Sequence, residues 1–187
     1  APARAEMAPG GPPADLVIVC VKAQDTDRAV TTLGERLGDR SLLLTLQNGL
    51  GNAEKLAHQI SRERILAGVT SMGATLLAPG RVLHAGDGET VVGSPAGGAT
   101  PAAQTVARLL TDARIETRAV DDVQSHIWTK LCVNTGINAL TALVRVRNGR
   151  LLKGRADRVL ELDVRECAAV AVQSGIALDP EAILHRV

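Results

Sequence analysis

The first third of the chain alternates apolar runs with amphipathic segments. The runs are largely Val, Ile and Leu and occupy residues 16–21, 41–46 and 65–67. Continuous apolar runs of this length predict strands buried on both faces, as in a parallel sheet. Between them, residues 26–37 carry apolar positions at helical spacing, and Asn52 can cap a helix that reaches Ile60. This order of strands and helices predicts an α/β fold with a parallel sheet.

The pattern changes after Gly68 into shorter segments separated by glycine- and proline-containing turns. These segments occupy residues 70–77, 81–84 and 90–93. They predict antiparallel strands or a meander attached to the parallel sheet. A helix over residues 101–112 and a short strand over residues 115–120 follow.

From Asp121 onward the pattern is helical. Helices are predicted over about residues 123–143 and 155–175, with Gly175 as the C-cap of the second. This shift places a domain boundary near Asp121. Residues 1–14, rich in Ala, Pro and Gly, are interpreted as a linker or lead-in.

Composition narrows the function classes. The formal net charge is +1 and aromatic residues make up 1% of the chain, which disfavours a nucleic-acid groove and a base-stacking platform. There is neither an apolar run of transmembrane length nor a signal-peptide pattern, so no membrane association is expected. The three cysteines, Cys20, Cys132 and Cys167, lack metal-ligand neighbours and are interpreted as small buried thiols of a cytoplasmic protein, with no metal site.

Two polar positions follow the first two predicted strands. Lys22 ends the first, and Asn48 lies in Gln47-Asn48-Gly49-Leu50-Gly51 after the second. Ligands of open α/β sheets bind outside the carboxyl ends of the strands, where Lys22 could meet a phosphate or ribose and Asn48 a carboxamide or substrate oxygen. Taken singly, Lys22 is better explained as a solvated strand end and Asn48 as part of an ordinary turn. Two such residues at neighbouring strand ends make the functional and the ordinary interpretation about equally good. A complete G-x-G-x-x-G motif does not follow any strand, so a dinucleotide cradle is not visible.

A polar stripe marks the helix predicted over residues 123–143. Lys130, Asn134 and Asn138 recur every four residues and fall within one arc, while the rest of the helix is apolar nearly all round and is expected to be buried. A buried stripe needs polar partners, supplied either by a ligand or by another protein element. A desolvated lysine also has a lowered pKa, which suits a general acid. The alternative is a stripe that faces solvent or another domain.

In these residues the chain resembles the ketopantoate reductase family. The resemblance rests on segments in family-like order and spacing: Asp15-Leu-Val-Ile-Val-Cys-Val-Lys22, Leu46-Gln-Asn48-Gly-Leu-Gly51, Trp128-Thr-Lys130-Leu-Cys-Val-Asn134-Thr-Gly-Ile-Asn138, Asn148-Gly149 and the helix from Glu166 to Gly175. It implies NADPH-dependent reduction of 2-dehydropantoate to pantoate in pantothenate biosynthesis.

The resemblance also implies a role for each matching residue. Lys22 and Ala74 would contact NADP(H), and Asn48 both cofactor and substrate. Lys130 would donate the proton, because a positioned ammonium stabilises the alkoxide charge that develops on the ketone oxygen. The carboxylate and hydroxyl of the substrate would be held by Asn134, Asn138 and Asn148. His126 and Glu166 receive no role.

The resemblance finally sets the expected organisation. Residues 1–121 correspond to an incomplete NADP-binding Rossmann-like domain, a parallel sheet with a short antiparallel extension, and residues 122–187 to the start of an all-helical substrate-binding domain. The family's glycine-rich loop is expected before Ala1, so the chain is interpreted as an internal fragment. A homodimer is among the expected assemblies. Two alternatives stay open: a truncated or degenerate scaffold without activity, and a related reductase of another 2-keto acid.

Overall fold

The computed structural model describes residues 11–153 and 156–185. Its strands are β1 (Leu16–Val19), β2 (Leu42–Thr45), β3 (Ile65–Thr70), β4 (Gly73–Ala78), β5 (Arg81–Gly86), β6 (Thr90–Gly93) and β7 (Thr117–Ala119). Its helices are α1 (Thr26–Leu33), α2 (Asn52–Ala57), α3 (Pro101–Asp112), α4 (Val123–Val144), α5 (Asp157–Gln173) and α6 (Pro180–Leu184). None of the helices in these ranges combines the length and apolar character that crossing a membrane requires.

The described chain forms two compact units. The sheet unit extends to Gln47 and then over Gly51–Val123, whereas the helical unit contains the residues from Gln124 onward and also the short segment Asn48–Leu50. The first ten residues of the lead-in predicted over residues 1–14 and the predicted helix start at Arg155 lie outside the described residues.

The main sheet has five strands in the order β1-β2-β3-β6-β7. The first three strands are parallel, β6 runs antiparallel to β3, and β7 is parallel to β6. The predicted α/β fold with a parallel sheet and an antiparallel extension is confirmed. Only part of the extension joins this sheet, because β4 and β5 pair solely with each other in a separate two-stranded hairpin.

Both faces of the central strands are buried. On one face Leu44, Leu66 and Val92 are at most 1% exposed and pack with α3, whose buried residues are Ala103, Val106, Ala107 and Leu110. Helix α3 begins where the sequence predicts, since Pro101 lies in its first turn and the Thr100 hydroxyl accepts the Ala103 N–H at 3.2 Å. On the other face Leu43 and Ile65 pack with Val30 of α1 and Leu56 of α2.

Strand β1 departs from the prediction. Among the described residues it ends at Val19 and pairs with β2, and Ile18 is 42% and Val21 40% exposed rather than buried. Cys20 is likewise exposed, which makes its interpretation as a buried thiol wrong; Cys132 is buried and Cys167 half-buried. The capping prediction for Asn52 is also wrong, because Asn52 is the first residue of α2 and Gly51 occupies the cap position at φ +80°.

The hairpin leaves and rejoins the main sheet through a closely packed neck. Thr70 pairs with Thr90 at the end of the β3–β6 ladder, the Thr90 hydroxyl donates to the Thr70 hydroxyl at 2.9 Å, and the Ser71 N–H donates to the Glu89 carbonyl at 3.0 Å. A Cβ at Gly88 would collide with the backbone of Ser71. The neck therefore requires a glycine at this position.

The helical unit has its own core, to which α4, α5 and α6 contribute Cys132, Leu140, Leu160, Val164, Ala168 and Ile183. The C-cap prediction for Gly175 is one residue late, because α5 ends at Gln173 with Ser174 as its C-cap. Gly175 follows at φ +83°, where the Ile176 N–H donates to the Ala171 carbonyl at 3.0 Å. The sequence reasoning missed α6. The Asp179 carboxylate accepts the Glu181 N–H at 3.0 Å and Pro180 begins the helix, a combination that signals a helix start.

Candidate active site

The sheet unit places Lys22 at the carboxyl end of β1. The residue is exposed and has an extended backbone at φ −62° and ψ 145°. Its carbonyl accepts the Asp25 N–H at 2.8 Å, which starts the short turn leading into α1. The predicted position of Lys22, beyond the end of a parallel strand, agrees with the structure.

The segment after β1 is held by side chains from three other elements. The Ala23 carbonyl accepts the Thr26 hydroxyl at 3.0 Å and the Lys55 ammonium at 3.1 Å. The Val21 carbonyl accepts the Gln47 side-chain amide at 2.7 Å. Sequence reasoning gave Gln47 no role, since a glutamine at a strand end carries no signal of the distant groups that it bonds.

Ala74 lies on the hairpin rather than at the edge of the main sheet. It pairs with His84 across β4 and β5 and is exposed. The sheet unit thus contains the two residues that are predicted to contact the cofactor but not the substrate. Lys22 lies at a strand end and Ala74 on the separate hairpin.

The stripe on α4 is less buried than the sequence suggests. Lys130 and Asn134 are half-buried and Asn138 is exposed. The opposite face of α4, formed by Cys132, Gly136 and Leu140, is buried in the core. At about 100° of rotation per residue, the centre of the stripe lies about 160° around the helix axis from the centre of this face. The expectation of a helix buried all round is therefore wrong. A helix that is apolar on most sides does not reveal which side packs.

Lys130 nevertheless has the electrostatics expected of a proton donor. Burial lowers the pKa of its ammonium below the usual value for lysine, because partial desolvation disfavours the charged form. A proton on such an ammonium leaves more readily.

The other predicted substrate contacts also belong to the helical unit. Asn48 is exposed and precedes Gly49, whose φ is +89°. Asn148 is exposed at the first residue of the 3-10 turn Asn148–Lys153. The structure therefore brings Asn48, Lys130, Asn134, Asn138 and Asn148 into one compact unit, although about 80 residues separate Asn48 from Lys130 in the sequence.

A largely apolar groove of about 530 Å³ runs between α4 and α5 in the same unit. Its lining includes Leu50, Trp128, Leu131, Thr135, Glu166 and Cys167. The lining residues of α4 are centred about 100° around the helix from the stripe. The stripe and the groove are thus two separate surfaces of one helix. Glu166 lies on the groove and His126 is half-buried near the start of α4.

Solved structures with this architecture include dehydrogenases and reductases. A ternary structure of D-mandelate dehydrogenase with NADH and anilino(oxo)acetate matches 92% of this chain with a TM-score of 0.88 at 26% identity, and 56% of that protein is covered. The crystal structure of 2-dehydropantoate 2-reductase from Geobacter metallireducens matches 93% of the chain with a TM-score of 0.86 at 29% identity, and 60% of that protein is covered.

Sequence comparison defines the family. The model for ketopantoate reductase PanE/ApbA matches residues 1–97, and the model for the C-terminal part of the same family matches residues 122–187. The chain therefore belongs to the ketopantoate reductase PanE/ApbA family, as its motifs predict.

Curated relatives agree with this assignment. The 2-dehydropantoate 2-reductase of Halobacterium salinarum is 42% identical over 174 residues, which are 92% of this chain and 57% of that protein. The 2-dehydropantoate 2-reductase of Archaeoglobus fulgidus is 41% identical over 140 residues, which are 75% of this chain and 46% of that protein. The chain thus spans about half the length of the curated relatives that it matches.

Proposed function

We propose that the protein reduces 2-dehydropantoate to pantoate with NADPH as the electron donor. The observation that carries the proposal is the Lys130 stripe: a half-buried lysine whose pKa is lowered by burial, with Asn134 and Asn138 on the same helix face. The 42% identity to the Halobacterium salinarum 2-dehydropantoate 2-reductase supports the choice of substrate.

The residues of the sheet unit fit a nicotinamide dinucleotide. Lys22 presents an exposed ammonium at the carboxyl end of β1, where ligands of open α/β sheets bind, and a positive charge suits a phosphate. Gly51 has φ +80°, and a Cβ on it would meet nothing within 4 Å, so a ligand can approach the backbone there. We assign Lys22 and Ala74 of this unit, together with Asn48 of the helical unit, to cofactor binding. The D-mandelate dehydrogenase with a matching fold carries NADH, which supports the cofactor class, and the preference for NADPH is part of the proposal.

The helical unit supplies the substrate contacts and the proton. The Nζ atom of Lys130 donates a hydrogen bond to the ketone oxygen, stabilises the negative charge that develops there and then transfers its proton. The cofactor supplies the hydride when bound. Amide groups of Asn134, Asn138 and Asn148 hold the carboxylate and hydroxyl, and Asn48 contacts both substrate and cofactor. Because amides are neutral, they do not compete for the proton.

The proposal is tested with purified protein in its full natural length. The consumption of NADPH and of NADH is followed at 340 nm with 2-dehydropantoate and, in parallel, with phenylglyoxylate, the keto acid that corresponds to mandelate. We expect kcat/KM to be highest for NADPH with 2-dehydropantoate. A preference for phenylglyoxylate would reassign the substrate, a preference for NADH would reassign the cofactor, and no turnover of either keto acid would reject the proposed function.

The roles of the stripe residues need a matched pair of variants. We expect Lys130→Ala to lower kcat by about 10²- to 10⁴-fold, the usual contribution of a positioned general acid. Arg158→Ala is the control, because Arg158 is an exposed cation on α5 of the same unit and has no assigned part in catalysis or binding. Equal kcat values for Lys130→Ala and the wild type would reject Lys130 as the proton donor. The homodimer stays a prediction, which light scattering on the same protein tests.

A further inference from the structure

The Gln47 side chain forms three hydrogen bonds at the carboxyl edge of the sheet. Its Nε2 donates to the Val21 carbonyl at 2.7 Å and to the Thr26 hydroxyl at 2.9 Å, and its Oε1 accepts from the Thr45 hydroxyl at 3.0 Å. One amide therefore connects the chain after β1, the start of α1 and the end of β2.

The chemistry of these partners fixes the orientation of the amide. A backbone carbonyl can only accept, so the group facing Val21 must be the NH₂ end. The Thr26 hydroxyl donates to the Ala23 carbonyl and is thereby free to accept from the same NH₂ group. The Thr45 hydroxyl then donates to the opposite end of the amide. Every polar atom of the Gln47 side chain thus has a defined direction, which a glutamate or a methionine cannot reproduce.

From this geometry we infer that Gln47 is a positioning residue for cofactor binding. The inference rests on the proposed function. Val21 is held by Gln47 and directly precedes Lys22, while Thr26 begins α1 four residues later. The amide therefore sets where the exposed Lys22 ammonium lies relative to the end of β2. Gln47 itself needs no contact with the cofactor and acts through Lys22.

The inference predicts a selective loss of cofactor affinity. In Gln47→Glu the side chain keeps its size and can still accept from Thr45, but a carboxylate oxygen replaces the donor that faces the Val21 carbonyl. We expect the Kd for NADPH to rise about tenfold, the range expected when a charged contact is displaced and one hydrogen bond is lost. The KM for 2-dehydropantoate should stay within about twofold and kcat at saturating NADPH within about threefold.

The test measures NADPH binding by fluorescence titration and steady-state kinetics on the protein in its full natural length. Gln104→Glu serves as the control, because Gln104 lies on α3 of the same unit and its amide bonds the nearby Ala99 carbonyl at 3.0 Å. A Kd for Gln47→Glu within twofold of the wild type, or an equal rise in Gln104→Glu, would overturn the inference. A merely structural role would lower the active fraction without a selective change in NADPH affinity.

Two further variants keep the inference testable if Gln47→Glu folds poorly. Thr45→Val removes the hydroxyl that donates to Gln47 at nearly constant volume, and we expect a rise in Kd of about threefold. In a Lys22→Ala background, Gln47→Glu should change the Kd for NADPH by less than about twofold, because Gln47 affects the Kd only by positioning the Lys22 ammonium, which this background lacks. An unchanged Kd in Thr45→Val, or fully additive effects in the double variant, would contradict positioning through Lys22.

The two proposals fail in different ways. If the wild type binds NADPH but does not reduce 2-dehydropantoate, the substrate assignment is rejected, and the comparison of Kd values still tests the positioning role of Gln47. If the wild type is fully active and Gln47→Glu binds NADPH like the wild type, the positioning role is rejected and the proposed reaction stands.

Discussion

Adding one methyl group to α4 at Gly136 should weaken the contact between α4 and α5. A Cβ there would lie 3.1 Å from Val164 Cγ2 and 3.3 Å from Leu160 Cγ, whereas ordinary contacts lie at 3.4–4 Å. Both neighbours are buried on α5, so the two helices must move apart by a few tenths of an ångström. Overpacking of this kind costs about 1–3 kcal/mol, and replacing a helical glycine by alanine returns about 1 kcal/mol.

The expected net loss for Gly136→Ala is therefore about 1 kcal/mol, which corresponds to a fall in Tm of about 3 °C for a protein of this size. Thermal unfolding followed by circular dichroism measures it, with Gly86→Ala as the matched control. A Cβ at Gly86 would meet nothing within 4 Å, so that variant should be neutral or slightly more stable. If Gly136→Ala were as stable as Gly86→Ala, the α5 side chains would yield freely and the steric argument would be wrong.

Three other substitutions or labelling experiments follow from burial. Lys130→Met should raise the free energy of unfolding, because burial disfavours the charged form of Lys130 and lowers its pKa. The gain is largest at a pH below that lowered pKa and disappears as the pH rises past the pKa of lysine in the unfolded chain. Urea unfolding at several pH values measures the gain, and a gain that is the same at every pH would contradict the prediction. Leu44→Ala should cost about 3–5 kcal/mol because Leu44 is fully buried, against less than about 1 kcal/mol for Leu109→Ala at a side chain that is 54% exposed; equal costs in urea unfolding would refute the packing described. Iodoacetamide at pH 8 should modify the exposed Cys20 and spare Cys132 in the folded protein, because burial and the neighbouring Cys167 thiol raise the pKa of Cys132 to about 12. Mass spectrometry identifies the modified cysteine, and modification of Cys132 before Cys20 would contradict the burial of Cys132.

The elements that the sequence predicted well are those determined by local signals. The apolar runs of β2 and β3 are buried on both faces, as continuous runs require. Helix α3 has the predicted bounds because Thr100 and Pro101 mark its start. Helix α4 begins at Val123, as predicted, and ends within one residue of the prediction.

Features that depend on distant partners were not predictable in this way. The exposure of Ile18 depends on which other parts of the fold cover β1, and no local pattern encodes that. The short segments between turns predicted the strands β4 and β5 without showing that they form a sheet of their own. Gln47 bonds Val21, 26 positions away, so its place in the structure emerges only after folding.

In the candidate site, too, local sequence predicted which residues share a face but not which neighbours they meet. Motif spacing identified Lys22, Asn48 and the α4 stripe, and their roles stay predictions that the variants above test. The stripe was expected on a buried helix, but α4 directs Gly136 rather than Lys130 towards α5. Helical periodicity places residues on a common face and does not say which neighbour that face will meet.

The neck beneath the β4–β5 hairpin separates a segment that should tolerate insertions and substitutions from the main sheet, which should not. Because Thr70 and Thr90 close the β3–β6 ladder and Gly88 lets the two backbones meet at Ser71, the chain beyond the neck can lengthen, shorten or change composition without shifting the register of the main sheet. Its amides should exchange with solvent by local opening, while those of β3 and β6 require a much larger unfolding event. Ala74, an assigned cofactor contact, lies on this permissive part. On the proposed assignment of Ala74, substitutions on the hairpin should alter cofactor preference while the register of the main sheet stays constant.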